Sequence, residues 1–499
     1  MDSKPRRTTR SRPAPKKGRR RASELPSRRA ASIRQSIRKG RLDDLTPLLT
    51  ALSDPSPGLR QTAAIALGLL KDPRARSSLE VSLSDPDPGV RSSAAEALGA
   101  VGRAESREPL ERAFDDAEPF VRSRVAGALR SLAQPESIPA LARHAEDESD
   151  DVRQAVASAL GAIATPESCE ALAPLLADAN ERVRREAVLG FGRRRDPAVV
   201  EKVRTFLADP ARRVRVAAAV VLGRQRDRVC VPLLLERLEA PGTWEKPAVL
   251  VALGRIGSVE AVPALLLASD HPAHWVRVCA LHALGEIGVP EARSAALSHT
   301  HDVSWAVRGA AAIALGAAGG LDDLPTLLEL LRDDHPWPRR GATYAIGRLG
   351  LAEAAPRVRE ELNDPAAEVR LAAIWALGRL ADDGARDELV RLLYGVRPGD
   401  ADDVGLGDTD DASDAPLRSD AESRLFDAAV QALGRLSRGS PDPQVHRALL
   451  EVRERLSEEE LDRLARLPHP EIALDQAPPT LRALFEIAIP SSGEDEDVV

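Results

Sequence analysis

The sequence predicts an all-α protein, a right-handed α-solenoid (superhelix) of about 12 to 13 two-helix repeats of 31 residues. Three observations predict it. A basic residue recurs every 31 residues: Arg60, Arg91, Arg122, Arg153, Arg184, Arg215, Lys246, Arg277, Arg308, Arg339 and Arg370. Eight residues after each stands a glycine, from Gly68 and Gly99 to Gly347 and Gly378, with Arg130 as the exception. Apolar residues make up 43% of the chain but aromatics only 3%, so the core is built from Ala, Leu and Val, which suits close-packed helices. At 499 residues the chain exceeds the roughly 250 to 300 over which one core grows, and a repeat array grows by addition instead.

Each element follows from this register. With the Arg as zero, apolar residues at −1, 3, 4 and 7 form one stripe of an α-helix, so each repeat opens with a helix of about 12 residues. The glycine at +8 reads as the left-handed residue that ends it. Six residues before the Arg stand Asp54, Asp85, Asp116, Asp147, Asp178, Asp209, Asp302, Asp333 and Asp364, often followed by Pro, as in SDPDPGVR. That pattern reads as an acidic helix cap with Pro in the first turn. Beyond the glycine, segments such as VPALLLAS, Val262 to Ser269, supply a second helix. Small residues at +3 and +6 permit close helix approach. Two short helices bury little alone, whereas stacked repeats share a continuous core.

The pattern closely resembles the HEAT-like repeats of phycobilin-lyase subunits (the PBS lyase HEAT-like superfamily), over residues 30–393 and a later copy, LFDAAVQALGRLS, Leu425 to Ser437. Gly434 of that copy lies 56 residues after Gly378, 25 more than one period. The organisation expected is a basic disordered arm at 1–28, the repeat array at 29–393, an acidic flexible insertion at 394–422, a last repeat and cap at 423–490, and an acidic disordered tail at 491–499. Asp400, Asp402 and Gly405 resemble part of a calcium loop, but Val404 occupies a ligand position, and a solvated acidic loop is expected.

Cys169, Cys230 and Cys279 show no paired spacing, which excludes a disulfide framework and a Cys-rich zinc site and fits a reduced cytoplasm. No apolar run approaches the ~18 residues of a membrane span, so no membrane insertion is expected. The net charge of −7 conceals an asymmetry: residues 1–41 hold 16 Lys/Arg against Asp2 and Glu24.

The Arg and Asp ladders, including Arg91, Arg153, Arg277, Arg308, Arg370, Asp85, Asp178, Asp302 and Asp364, are read as structural, bridging within and between repeats. A catalytic group is not needed eleven times. Repeats of this kind also resemble the deoxyhypusine hydroxylase family, whose di-iron site implies His-Glu pairs, but the sequence contains no His-Glu dipeptide. His271, His274, His282, His299, His301 and His335 cluster in 65 residues without a clear ligand spacing. No phosphate loop, serine elbow or kinase signature is present. No catalytic, metal or cofactor residue is assigned, and no cofactor is expected. An enzyme on the same scaffold (bilin-lyase-like, hydroxylase-like or DNA-glycosylase-like) is the alternative.

Two departures from the repeat carry the functional reading. Residues 182–228 hold 14 Lys/Arg against five acidic residues. Arg182 and Arg213 stand at −2, Arg193 and Arg224 at +9, and Arg195 and Arg226 at +11, so these six are expected to stack into one basic patch for nucleic acid or an acidic protein. Trp244, Trp275 and Trp337 stand at −2, and Trp305 at −3. Seven residues on from −2, at +5, come His282, Tyr344 and Trp375, where earlier repeats hold Glu96, Gly127 or Ser158. An aromatic stripe at a normally wet position reads as a docking surface, unless the insertion or the C-terminal segment covers it. The sequence therefore reads as a cytoplasmic, non-catalytic scaffold with protein partners.

Overall fold

A computed structural model describes residues 45–194, 197–240 and 245–393, together with Ala429 and Ala432. The expected arm, insertion and tail lie outside the described residues, as do Arg195 and Trp244. The chain divides into two units, 1–199 and 200–499. The first contains long helices α1 (Pro57–Leu70), α2 (Pro88–Val101), α3 (Pro119–Leu132), α4 (Asp150–Ile163) and α5 (Glu181–Phe191). The second contains α6 (Arg212–Gln225), α7 (Lys246–Ile256), α8 (His274–Ile287), α9 (Trp305–Ala318), α10 (Pro336–Leu349) and α11 (Ala367–Leu380). Short second helices, such as Arg107–Ala113 and Val262–Ser269, alternate with them. Among the described residues there is no strand, and within each unit every long helix packs on the next, which makes a helical solenoid.

The core is a row at +7. Leu67, Leu98, Leu129 and Leu160 in the first unit, and Leu222, Leu253, Leu284, Leu315, Ile346 and Leu377 in the second, are all fully buried. Each contributes about 1.5 to 3 kcal/mol by leaving water, an upper figure since unfolded chains are not fully exposed.

The helices run mostly 14 residues, about two more than the sequence reading, and this revises the role of the glycine. The left-handed cap falls at +11, as Lys71, Gly102, Ala133, Ala164, Arg226, Gly257, Gly288, Gly350 and Ala381. Except in α5, where Gly192 is the C-cap, the glycine at +8 lies inside the helix and is a packing residue. A Cβ on Gly68 would stand 2.9 Å from Ala97 Cα, and one on Gly316 would stand 2.8 Å from Ala345 Cα. The residue opposed is the one at +6 in the following helix, so the small residue there and the glycine set one close backbone approach per repeat. Ala432 obeys the same rule: a Cβ on Gly378 would lie 2.9 Å from Ala432 Cα.

The aspartates are also displaced from the expected cap. The cap positions are Ser56, Asp87, Glu118 and Ser149, two residues past the ladder Asp, and Pro opens α1, α2, α3 and α10. The ladder Asp instead folds the approach to the helix, accepting the N–H two residues on, as Asp85 does from Asp87 at 2.9 Å. Its carboxylate receives the preceding repeat's arginine. Arg60 donates through Nε and Nη2 to Asp85, both at 2.7 Å, and through Nη1 to the Asp54 carbonyl at 2.9 Å. Arg91 with Asp116, Arg122 with Asp147 and Arg153 with Asp178 repeat this rung in the first unit. Arg277 with Asp302, Arg308 with Asp333 and Arg339 with Asp364 repeat it in the second, and Arg370 donates to the Asp364 carbonyl. The Arg60 hydrogen bond holds the Asp85 carboxyl below its ordinary range.

The ladder changes once. Ala240 stands where an Asp is due, and Arg215 reaches Glu245 instead. Lys246 replaces the arginine, and α7 begins at that residue, three later than the register predicts. His271 replaces the following Asp and accepts the Ala273 N–H through Nδ1 at 3.1 Å.

Candidate interaction surface

The aromatic positions divide into scaffold and surface. Trp337 is 8% exposed and Tyr344 9% exposed, so neither is the wet site the repeat position suggests. The cover comes from neighbouring repeats. A Cβ on Gly309 of α9 would stand 2.0 Å from Trp337 Cδ1, so only glycine admits that ring, and the Arg340 guanidinium of its own helix lies 4.9 Å from the ring centroid. Burial pushes the Arg340 pKa down to about 10. Tyr344 lies beneath Trp375, ring centroids 4.6 Å apart and nearly parallel.

The remaining rings are half-buried. Trp305 stacks on His335 at 3.9 Å, and burial lowers the His335 pKa, which favours the neutral ring. His335 in turn caps α10 by accepting the Trp337 N–H. Trp275 meets His274 edge-on at 5.7 Å. His282 at +5 of α8 is mostly buried, with its pKa lowered by burial and by Arg255 against the opposing pull of Glu286. Trp275, Trp305 and Trp375 are thus each partly exposed, on three of the long helices of the second unit.

At +9, one turn beyond the +5 position of Trp375, runs a row that sequence reasoning missed. Arg193 and Arg224 were noticed at +9, but the same position continues as Arg255, Arg348 and Arg379, interrupted by Glu286 and Ala317. The signal was the register itself. Arg379 lies 5.4 Å from the Trp375 ring centroid and donates to the Gly347 carbonyl at 3.2 Å. Among the described residues, no carboxylate is within ion-pair distance of Arg255, Arg348 or Arg379.

The six arginines of the expected basic patch separate. Arg182 donates to Asp151 at 2.8 Å, so its charge is neutralised within the first unit. Arg193 is exposed in that unit, whereas Arg213, Arg224 and Arg226 belong to the second. Arg213 lies in the first turn of α6, and Arg224 and Arg226 at its other end, roughly 16 Å away along a helix rising 1.5 Å per residue. Arg213 and Arg226 are exposed.

Burial raises the thiol pKa of Cys230 and Cys279 to about 12, leaving both as small core residues. Among the described residues, no three His, Cys, Asp or Glu side chains are grouped to hold a metal ion. Nor is any helix there long and apolar enough to cross a membrane.

Comparison with solved structures gives the fold. Yeast importin-β matches with a TM-score of 0.52 at 14% identity, covering 90% of this chain and 70% of that one. Phycocyanin lyase from Nostoc matches with a TM-score of 0.30 at 20% identity over 54% of this chain and 93% of that one. Human deoxyhypusine hydroxylase matches with a TM-score of 0.24 at 24% identity over 49% and 96%. No curated protein sequence matches the chain. The family model described as HEAT repeats matches residues 45–130, 110–190, 170–246, 200–277, 231–316, 267–346 and 324–397. Those overlapping matches span the whole described array, and the chain belongs to the HEAT repeat family.

Proposed function

We propose that this chain is a non-catalytic adaptor that holds a protein partner against the aromatic face of its second unit. The carrying observation is that Trp275, Trp305 and Trp375 are partly exposed at positions where most repeats carry no aromatic residue. At +5, the position of Trp375, the first unit holds Glu96, Gly127 and Ser158 in three successive repeats, and at −2, the position of Trp275, it holds Gly58, Gly89, Phe120, Asp151 and Arg182, yet that unit packs by the same glycine and arginine rules. Large amphipathic rings in such a place act as binding anchors. The test is affinity purification on the full chain after nuclease treatment, beside a variant carrying Trp275→Ala, Trp305→Ala and Trp375→Ala. The reading expects a stoichiometric protein partner that the variant loses while its helical circular dichroism persists. Identical partners on both baits would refute it.

A second reading rests on Arg193, Arg213 and Arg226, exposed and without an ion pair among the described residues, and on the basic segment 1–41. These suit a polyanion, nucleic acid or an acidic protein. Binding to a DNA duplex that falls steeply with salt, and is lost when the three become Glu and residues 1–28 are removed, supports it.

A further inference from the structure

We infer that His271 and His335 make the starts of α8 and α10 acid-sensitive, so that the edge of the second unit bearing Trp275, Trp305 and Trp337 is held at neutral pH and loosened below about pH 6. The inference goes beyond the adaptor reading, and it is read with no partner present.

In both places an imidazole nitrogen stands where other repeats use a carboxylate oxygen. His271 occupies the ladder position that holds Asp in nine other repeats, and the Ala273 N–H donates to its Nδ1 at 3.1 Å. Ala273 is the cap residue of α8 and brings no side-chain acceptor of its own. In the approach to α2 the same bond is made by Asp85, which accepts the Asp87 N–H at 2.9 Å. His335 is the cap residue of α10, and the Trp337 N–H donates to its Nδ1 at 3.1 Å. In α2 that cap is Asp87, which accepts the Val90 N–H.

A lone pair that accepts at Nδ1 and a proton bound at Nδ1 exclude each other. An imidazolium carries N–H on both ring nitrogens and offers no acceptor, so one proton breaks the bond and sets two N–H groups against each other. A carboxylate in the same place keeps its lone pairs to far lower pH, and the Arg60 hydrogen bond takes Asp85 lower still. Both histidines are half-buried, so solvent protons reach them.

Their surroundings favour the neutral ring. His271 faces two cations, Lys246 of α7 and Arg277 of α8, while the neighbouring carboxylate of Asp270 lies 3.4 Å from His299 Nε2. Burial, then Lys246, holds the His271 pKa below 6.5. His335 faces Arg308 of α9 and Arg339 of α10 against Asp333 in its own turn and Glu368 of α11, and burial holds its pKa down. An imidazole lowered in the folded chain binds its proton more weakly there than in the loosened one. Its hold is therefore full above pH 6.5 and is lost as pH falls from there. The loss reaches the aromatic edge directly: Trp275 lies in the first turn of α8, Trp305 stacks on His335 at 3.9 Å, and Trp337 supplies the N–H released.

The experiment is amide hydrogen exchange of the full chain, read by mass spectrometry at about pH 7.5 and about pH 5.5 and divided by the intrinsic rate at each pH. Protection over residues 270–280 and 334–344 should fall at least about threefold on acidification and return on neutralisation, while residues 84–94 of the first unit keep theirs. His271→Asp should abolish the fall at α8, and His335→Asn that at α10, because both replacements accept an N–H at either pH. His335→Asp, with the cap chemistry of Asp87, replaces His335→Asn where loss of the Trp305 stack already lowers protection at neutral pH. No fall in the wild type would overturn the inference, as would an equal fall over 84–94, which is general acid loosening. A fall that survives in His271→Asp and in both His335 variants would overturn it too. A fall at one helix start alone would strike the other histidine from the device.

Discussion

The two units obey one packing rule and differ at two helical positions. In both, a +8 glycine meets a small +6 residue, a +7 apolar side chain is fully buried, and an arginine clamps the next repeat's aspartate. At +5 the first unit holds Glu96, Gly127 and Ser158 in three successive repeats where the second holds His282, Tyr344 and Trp375, and at −2 the first unit's one aromatic is Phe120 where the second has Trp275 and Trp337. The difference teaches that the repeat residues explain stacking and the departures require a separate cause. It also teaches that departure is not enough, because Trp337 differs from its neighbours and is still scaffold.

The comparison is open to attack in order of expected effect. Trp337→Ala should empty the site over Gly309 and cost about 4 kcal/mol by urea unfolding, whereas Glu96→Ala at the first unit's +5 position should stay within about 0.5 kcal/mol. Equal costs would erase the distinction between buried and surface aromatics. Next, Gly316→Val in the second unit and Gly99→Val in the first should each lose about 3 kcal/mol, since a Cβ at either lies 2.8 Å from the facing Cα. Gly102→Ala should cost about 1 kcal/mol or less, because its left-handed site has open space and Ala133 and Ala164 already occupy equivalents. Breaking a rung with Arg91→Ala or Arg308→Ala should cost about 2 kcal/mol in either unit, most of it from leaving Asp116 or Asp333 without its guanidinium.

The smallest effect is a pH dependence confined to the second unit. Burial, with Asp364 alongside, raises the Glu361 carboxyl from 4.5 to about 7. A raised carboxyl binds its proton more tightly in the folded chain, so its contribution is full below pH 4.5 and lost as pH climbs through about 7. Glu361→Gln should therefore flatten the stability profile between those limits and raise stability at pH 8 by about 1 kcal/mol. A profile with the same slope in both proteins would contradict the assignment.

The solenoid was legible because stacking imposes a period, and Arg277, Leu284 and Gly285 recur for reasons of geometry that the sequence repeats. The roles within the period were less legible. A glycine near a helix end reads equally as a cap or as a contact, and only the position of Ala97 against Gly68 decides between them. The aspartates likewise needed their partner 25 residues away, as Arg60 with Asp85 shows. For the candidate site, the tryptophans were visible but their exposure was not, because burial of Trp337 depends on Gly309 in a different helix. The six arginines looked like one patch by register alone, whereas the length of α6 and the pairing of Arg182 divide them.

The most direct measurement of the central claim pairs thermal unfolding with partner binding for Trp305→Ala/Trp375→Ala and for Trp337→Ala. The account predicts that the first variant keeps its melting temperature within about 2 °C and loses its partner, while the second melts earlier. A first variant that melts as early as the second, or that keeps wild-type binding, would show that these rings are internal packing and that the aromatic face is not a docking surface.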